Sequence, residues 1–263
     1  MRKPGKYLTA AAVSLKSAYA YKAGALFGLL LYALFIFVLF SVWKAIYKGG
    51  EIEGFSLSQM VWYVCLTEFI VFGCRTNVFS QLNEEVKNGD IAYQLNKPYS
   101  FVLYKFANSM GETAINAAVY LAAALVLGLL FAGPLAGFQL WMLPPVVLSM
   151  TLGLALNFFT MTALGLTAFV IEENTAFYLL WQKLVFMLGM FLPLEFLPGW
   201  LQNIARWLPF PYIAWAPARL AVNFSWEHFW AAVPLQALWC AVFFCVSWLI
   251  YRGGVKKINA HGG

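Results

Sequence analysis

Glu68 stands in the middle of an apolar run, Val61-Trp62-Tyr63-Val64-Cys65-Leu66-Thr67-Glu68-Phe69-Ile70-Val71-Phe72. A carboxylate in such surroundings is costly, so it is kept either as a protonated or hydrogen-bonded structural group or as a group that meets a substrate or a gate. Arg75 lies seven residues on, which places it on the same helical face about 10 Å lower, where its long side chain can snorkel. The two need not pair. Asn116, Asn157 and Thr160 are polar side chains in other apolar runs, able to join helices by hydrogen bonds or to line a path. Glu195 joins them as a candidate path or gate residue in the proline-broken stretch Phe191–Leu201.

Catalytic chemistry finds little support. A phosphate-binding loop needs Gly-x-x-x-x-Gly-Lys-Ser/Thr, but the one Gly-Lys pair, Gly5-Lys6, is followed by Tyr7. The two histidines, His228 and His261, are too far apart for a zinc-protease motif, and no Gly-x-Ser-x-Gly elbow occurs. Asp90 is the single aspartate, which excludes an aspartyl dyad. Cys65, Cys74, Cys240 and Cys245 all fall in apolar stretches and read as small packing residues, not as metal or disulfide partners. No catalytic or metal-binding set is assigned, and no cofactor is expected in this chain.

The elements that must position these residues are membrane helices. With 62% hydrophobic and 11% charged residues in 263, the chain has too few polar groups to solvate a soluble globule. Crossing about 30 Å of hydrocarbon takes about 20 apolar residues at 1.5 Å each. Six stretches qualify: Ala23–Trp43, Leu57–Asn77, Ala107–Phe131, Trp141–Ile171, Phe177–Leu197 and Phe229–Tyr251. Pro144-Pro145 suits the start of the fourth helix, and Pro193, Pro198 and Gly199 predict an early end to the fifth. The fold class is therefore all-α, a single polytopic domain over residues 1–263. The first stretch is too long for a signal-peptide core and lacks a cleavage signature, so it stays as an anchor.

Basic residues set the orientation. Arg2, Lys3, Lys6, Lys16, Lys22, Arg75, Lys87, Lys97, Lys105, Lys183, Arg252, Lys256 and Lys257 fall on one side, and only Lys44, Lys48, Arg206 and Arg219 on the other. Both termini are predicted to be cytoplasmic. The net charge of +6 then reflects topology and anionic lipid, with no separate basic domain for a nucleic acid.

Three connecting segments carry further signal. In Lys6–Lys22, Leu8, Ala12, Leu15 and Tyr19 recur at helical steps beside Lys6 and Lys16, which predicts an interfacial amphipathic helix, either a plain surface anchor or one that also touches a cytoplasmic partner. In 79–98, acidic Glu84 and Glu85 favour a short helix that Asn88-Gly89 ends, and Asp90 can cap a second one, Ile91 to Leu95, stopped by Lys97-Pro98. Val86, Ile91 and Leu95 would then be apolar knobs for a soluble protein, or the whole segment would lie on lipid headgroups. Pro198–His228 is too apolar for an exposed loop and too broken for a span, and is expected in the outer interface as an aromatic belt or an outer gate for a hydrophobic substrate.

Val86-Lys87-Asn88-Gly89-Asp90-Ile91 followed by Leu95-Asn96-Lys97-Pro98, just after the second span, resembles the loop of type-2 ATP-binding-cassette exporter membrane subunits, in particular the roughly 260-residue six-span permeases. The resemblance extends to the layout of the whole chain. It implies a non-catalytic subunit in which this loop forms a coupling helix against a separate cytoplasmic ATPase, which would hold the ATP and magnesium. Glu84, Glu85, Lys87, Asp90, Ile91, Leu95, Lys97 and Pro98 become the ATPase-contact positions. It also implies short re-entrant external helices and a pathway formed with a second membrane subunit, the same or a related chain, in a bacterial cell membrane. The cargo expected is hydrophobic or amphipathic. A lipid-modifying membrane enzyme or an assembly scaffold stands as the alternative.

Overall fold

A computed structural model describes residues 22–47, 50–73, 78–91, 100–171 and 173–261. The predicted interfacial helix therefore lies outside the described residues except for Lys22 at its end, and so do Leu95, Lys97 and Pro98.

The described chain is helical, as expected. The long elements are α1 (Lys22–Ile46), α2 (Leu57–Gly73), α4 (Phe101–Ala132), α5 (Leu143–Leu166) and α9 (Trp226–His261). Shorter ones are α3 (Val78–Lys87), α6 (Thr175–Val185), α7 (Gly199–Ala205) and α8 (Pro211–Val222). Pro144 and Pro145 occupy the first turn of α5, where a missing N–H costs nothing. Helix α4 begins earlier than the predicted Ala107 and takes in Lys105. Helix α9 likewise runs ten residues beyond the predicted end at Tyr251.

Among the described residues, five helices are long and apolar enough to cross a membrane, and the predicted fifth span is shorter. Helix α6 continues as one π-helical stretch, Phe186–Met190, in which the Phe191 N–H reaches back five residues to the Phe186 carbonyl. The chain then breaks before Pro193, so the early end expected from the prolines is observed. What completes this part of the bundle is α8.

Within 198–228, helix α8 is enclosed by protein. Ten of its twelve residues are buried, and it packs against α2 and α5 within the bundle. Pro217 inside it removes a helical hydrogen bond, which is tolerable because the surroundings are protein and not lipid. The buried Gln236 amide of α9 donates to the Tyr212 and Ser149 carbonyls, at 2.8 and 3.1 Å, and accepts from the Ser149 hydroxyl. Helix α7 and the turn after it expose Trp200, Ile204 and Trp207, and Trp226 is exposed at the start of α9.

Helix α2 is the centre. Twelve of its seventeen residues are buried, without a lipid-facing side, because α4, α8 and α1 surround it. Tyr32 of α1 donates to the Cys65 carbonyl at 2.8 Å and meets the Phe72 and Tyr120 rings edge-on. A helix enclosed in this way holds Glu68 away from lipid.

Candidate functional site: a cleft and the helix that forms its wall

Glu68 is 2% exposed, and what space it reaches belongs to a cleft of about 680 Å³ bounded by α1, α2, α3, α5 and α6. Asn157 of α5 faces the same cleft, as do Lys183 and Gln182 of α6. Aromatic side chains supply much of the remaining wall, among them Phe35, Phe72, Phe79, Tyr178 and Phe186. Among the described residues the Glu68 carboxylate takes part in no hydrogen bond or ion pair. The lining mixes aromatic walls with polar side chains that converge on one space.

The other expected path residues lie elsewhere. Thr160 is fully buried with its hydroxyl donating to the Asn157 carbonyl one turn back, a structural role inside α5. Asn116 on α4 is half-buried and does not line the cleft. Glu195 is on the far side of the bundle, where it accepts from Arg219 Nε at 2.8 Å and from the Trp215 indole at 3.2 Å. It ties the turn after the π-helix to α8 and is not part of the cleft.

Helix α3 is one-sided. Val78, Phe79 and Leu82 are buried, while Ser80, Gln81, Glu84, Lys87, Asn88 and Asp90 are exposed. Gly89 ends it with φ +77°, the left-handed geometry read from Asn88-Gly89. Its buried side rests on α5, closely enough that a Cβ at Gly165 would come within 2.8 Å of Leu82 Cβ. Lys105 of α4 binds Glu85 at 2.5 Å, and Lys87 reaches Glu173 at 3.7 Å. Glu173 also accepts from the Thr175 backbone at the start of α6. These bonds to Thr175, with the Lys87 ammonium nearby, hold its carboxyl below the usual range.

Ile91 departs from its expected role. It is fully buried among Val78, Leu82, Phe101, Val102, Phe158 and Leu166, so it anchors the loop to the bundle instead of projecting as a docking knob. The left-handed turn at Gly89 ends α3, and two residues later Ile91 joins the buried cluster that holds Val78 and Leu82 of that helix. Glu85 is engaged by Lys105 in the same way. Glu84, Lys87 and Asp90 are the predicted contact positions that remain exposed.

Sequence reasoning missed Lys183, Phe79 and Tyr178. Charge counting places Lys183 with the basic residues of the cytoplasmic side, yet it lies eight residues inside α6 and lines the cleft. The signal was the one that singled out Glu68, an ionisable side chain well inside an apolar helix. Phe79 and Tyr178 belong to different elements, and their meeting has no local signature.

No curated protein matches the sequence. A family model does: that of the ABC-2 family transporter proteins aligns with residues 28–262, which takes in every helix described above apart from the first six residues of α1. The chain is thus a multi-pass membrane protein and a permease subunit of an ATP-binding-cassette transporter, and it belongs to the ABC-2 transporter family.

Proposed function

We propose that this permease exports a hydrophobic or amphipathic substrate through the Glu68 cleft, driven by a separate cytoplasmic ATPase that docks on the exposed side of α3. ATP and magnesium belong to that partner, and the present chain carries out no chemistry. A second membrane subunit, a further copy or a related chain, completes the pathway. The α3 side of the bundle and both termini then face the cytoplasm of a bacterial cell.

One observation carries this reading. Helix α3 offers bare polar residues outward, while Phe79 and Ser80 of the same ten-residue helix line the cleft. A displacement imposed on the outer side therefore reaches the substrate space without an intermediate element. Glu84, Lys87 and Asp90 are the contacts offered to the ATPase, with Leu95, Lys97 and Pro98 following them in the chain.

The test is to express the permease with an ATP-binding-cassette ATPase encoded beside it and purify the permease by an affinity tag. Co-purification of the ATPase, with hydrolysis that amphiphiles stimulate in reconstituted vesicles, is the expected result. A permease that purifies folded and binds no such ATPase would overturn the proposal.

A further inference from the structure

Glu68 of α2 and Lys183 of α6 both line the cleft, from different helices and at similar depth. The Tyr63 hydroxyl lies 3.4 Å from both the Gly189 and Leu192 carbonyls, which registers α2 against the π-helical end of α6. Helix α2 runs toward the α3 side and α6 away from it. From that shared level Glu68 is five residues along α2, and Lys183 is six residues back from Gly189 and nine from Leu192. At about 1.5 Å per residue Glu68 lies about 8 Å and Lys183 about 9–13 Å toward the α3 side, separated in depth by about one helical turn or less. Yet no ion pair forms between them, since their charged atoms are more than 4.0 Å apart. Neither has another partner among the described residues.

A cleft that keeps a carboxyl group and an ammonium apart, within aromatic walls, selects by charge arrangement. A cargo with a positive group alone would satisfy Glu68 but meet repulsion from Lys183, and one with a negative group alone would satisfy Lys183 but leave Glu68 without an ionic partner. A cargo carrying both satisfies both, and its cation also gains from the aromatic faces around Glu68. Its chain would lie along Phe35, Phe72 and Phe186. We infer that the cleft binds a zwitterionic amphiphile, its cationic group at Glu68 and its anionic group at Lys183. This rests on the transport reading above and adds the class of substrate to it.

Three probes with one dodecyl chain separate the possibilities: dodecylphosphocholine, dodecyltrimethylammonium and dodecyl phosphate. Binding of each radiolabelled probe is measured by equilibrium dialysis against the permease–ATPase complex in nonionic detergent. The zwitterion is expected to bind at least about tenfold more tightly than either singly charged probe. Lys183→Gln, at an exposed position that should not disturb folding, is expected to raise the affinity for the cation to that for the zwitterion. Glu68→Gln is expected to do the same for the anion. Equal binding of all three probes, or a cation that binds tightest to the unaltered protein and is indifferent to Lys183→Gln, would overturn the inference. ATPase stimulation separates the two levels of failure: stimulation by dodecyltrimethylammonium alone removes the substrate class and leaves transport standing, whereas an ATPase that never associates removes transport itself.

Discussion

The rings of Phe79 and Tyr178 lie stacked, centroids 4.1 Å apart and planes 6° apart, joining α3 to α6 at the wall of the cleft. This is where the helix offered to the ATPase touches a helix that carries a cleft charge. An offset or parallel aromatic pair contributes about 1 kcal/mol beyond the area it buries, enough to hold two short helices together and little enough to break during a cycle. Phe79→Ala should leave the ATPase bound, because the exposed side of α3 is unchanged, but should abolish most of the stimulation of hydrolysis by substrate. Tyr178→Phe keeps the ring and should behave as the unaltered protein. Paired measurements of co-purification and stimulated hydrolysis decide it; loss of ATPase binding in Phe79→Ala would mean that the ring shapes the docking surface itself.

The docking side and the anchoring side of the loop should respond differently. Glu84→Lys together with Asp90→Lys reverses two exposed charges and should weaken ATPase association by about tenfold, with membrane insertion and thermal stability unchanged. Ile91→Asp instead places an unpaired charge in a fully buried position, a cost of several kcal/mol, so its first effect should be on the stability of the permease. Thermal unfolding in detergent distinguishes them. An Ile91→Asp protein of normal stability that fails to bind ATPase would return Ile91 to the docking surface.

The contrast shows how far the sequence could be read. Periodicity, proline placement and the lone carboxylate gave the helices, the early end after α6 and Glu68 itself, because each depends on a residue and its near neighbours in the chain. Asn88-Gly89 likewise announced its own turn. The burial of Ile91, the insertion of α8 and the approach of Lys183 to the cleft depend on which helix lies beside which, and composition alone does not decide that. Helix α8 is the plainest case: an apolar, proline-containing segment suits a lipid interface and a protein interior equally well.

Orientation rests on the distribution of basic residues, and single cysteines test it. In a variant without its native cysteines, Gly263→Cys should be protected from a membrane-impermeant maleimide in intact cells, while Gly133→Cys, at the end of α4 on the other side, should be labelled. The reverse pattern would place α3 outside and remove the ATPase from its reach.

Glu85 and Lys105 form a largely buried pair, with side chains 21% and 11% exposed. Removing one partner strands the other, so Glu85→Gln or Lys105→Met alone should each cost about 1–3 kcal/mol, whereas the double variant should recover much of that loss. Denaturation of all four proteins closes the cycle. Additive losses would show that the two side chains act separately, and that Lys105 is held mainly by its contact with Phe101, 5.8 Å from its ammonium.

Glu195 and Arg219 hold the opposite end of the bundle, and their arrangement argues for a brace in place of a gate. Arg219 donates to the Glu195 carboxylate through Nε and to the Asn223 carbonyl through a terminal nitrogen, and its guanidinium lies 5.1 Å from the centre of the Phe55 ring. Glu195 also accepts from the Trp215 indole. Each charge thus has several partners, and together they connect the turn before α2, the turn after the π-helix and α8 itself. A gate residue would have to release such contacts in every cycle, whereas a brace keeps them. Glu195→Gln retains an acceptor for Trp215 and a weaker one for Arg219, and should lower the thermal midpoint by a few degrees with substrate stimulation of the ATPase intact. Arg219→Met strands the carboxylate beside a buried helix and should cost more, about 2–4 kcal/mol. If Glu195→Gln instead leaves stability unchanged and abolishes substrate-stimulated hydrolysis, the pair opens during transport and Glu195 belongs to the path after all.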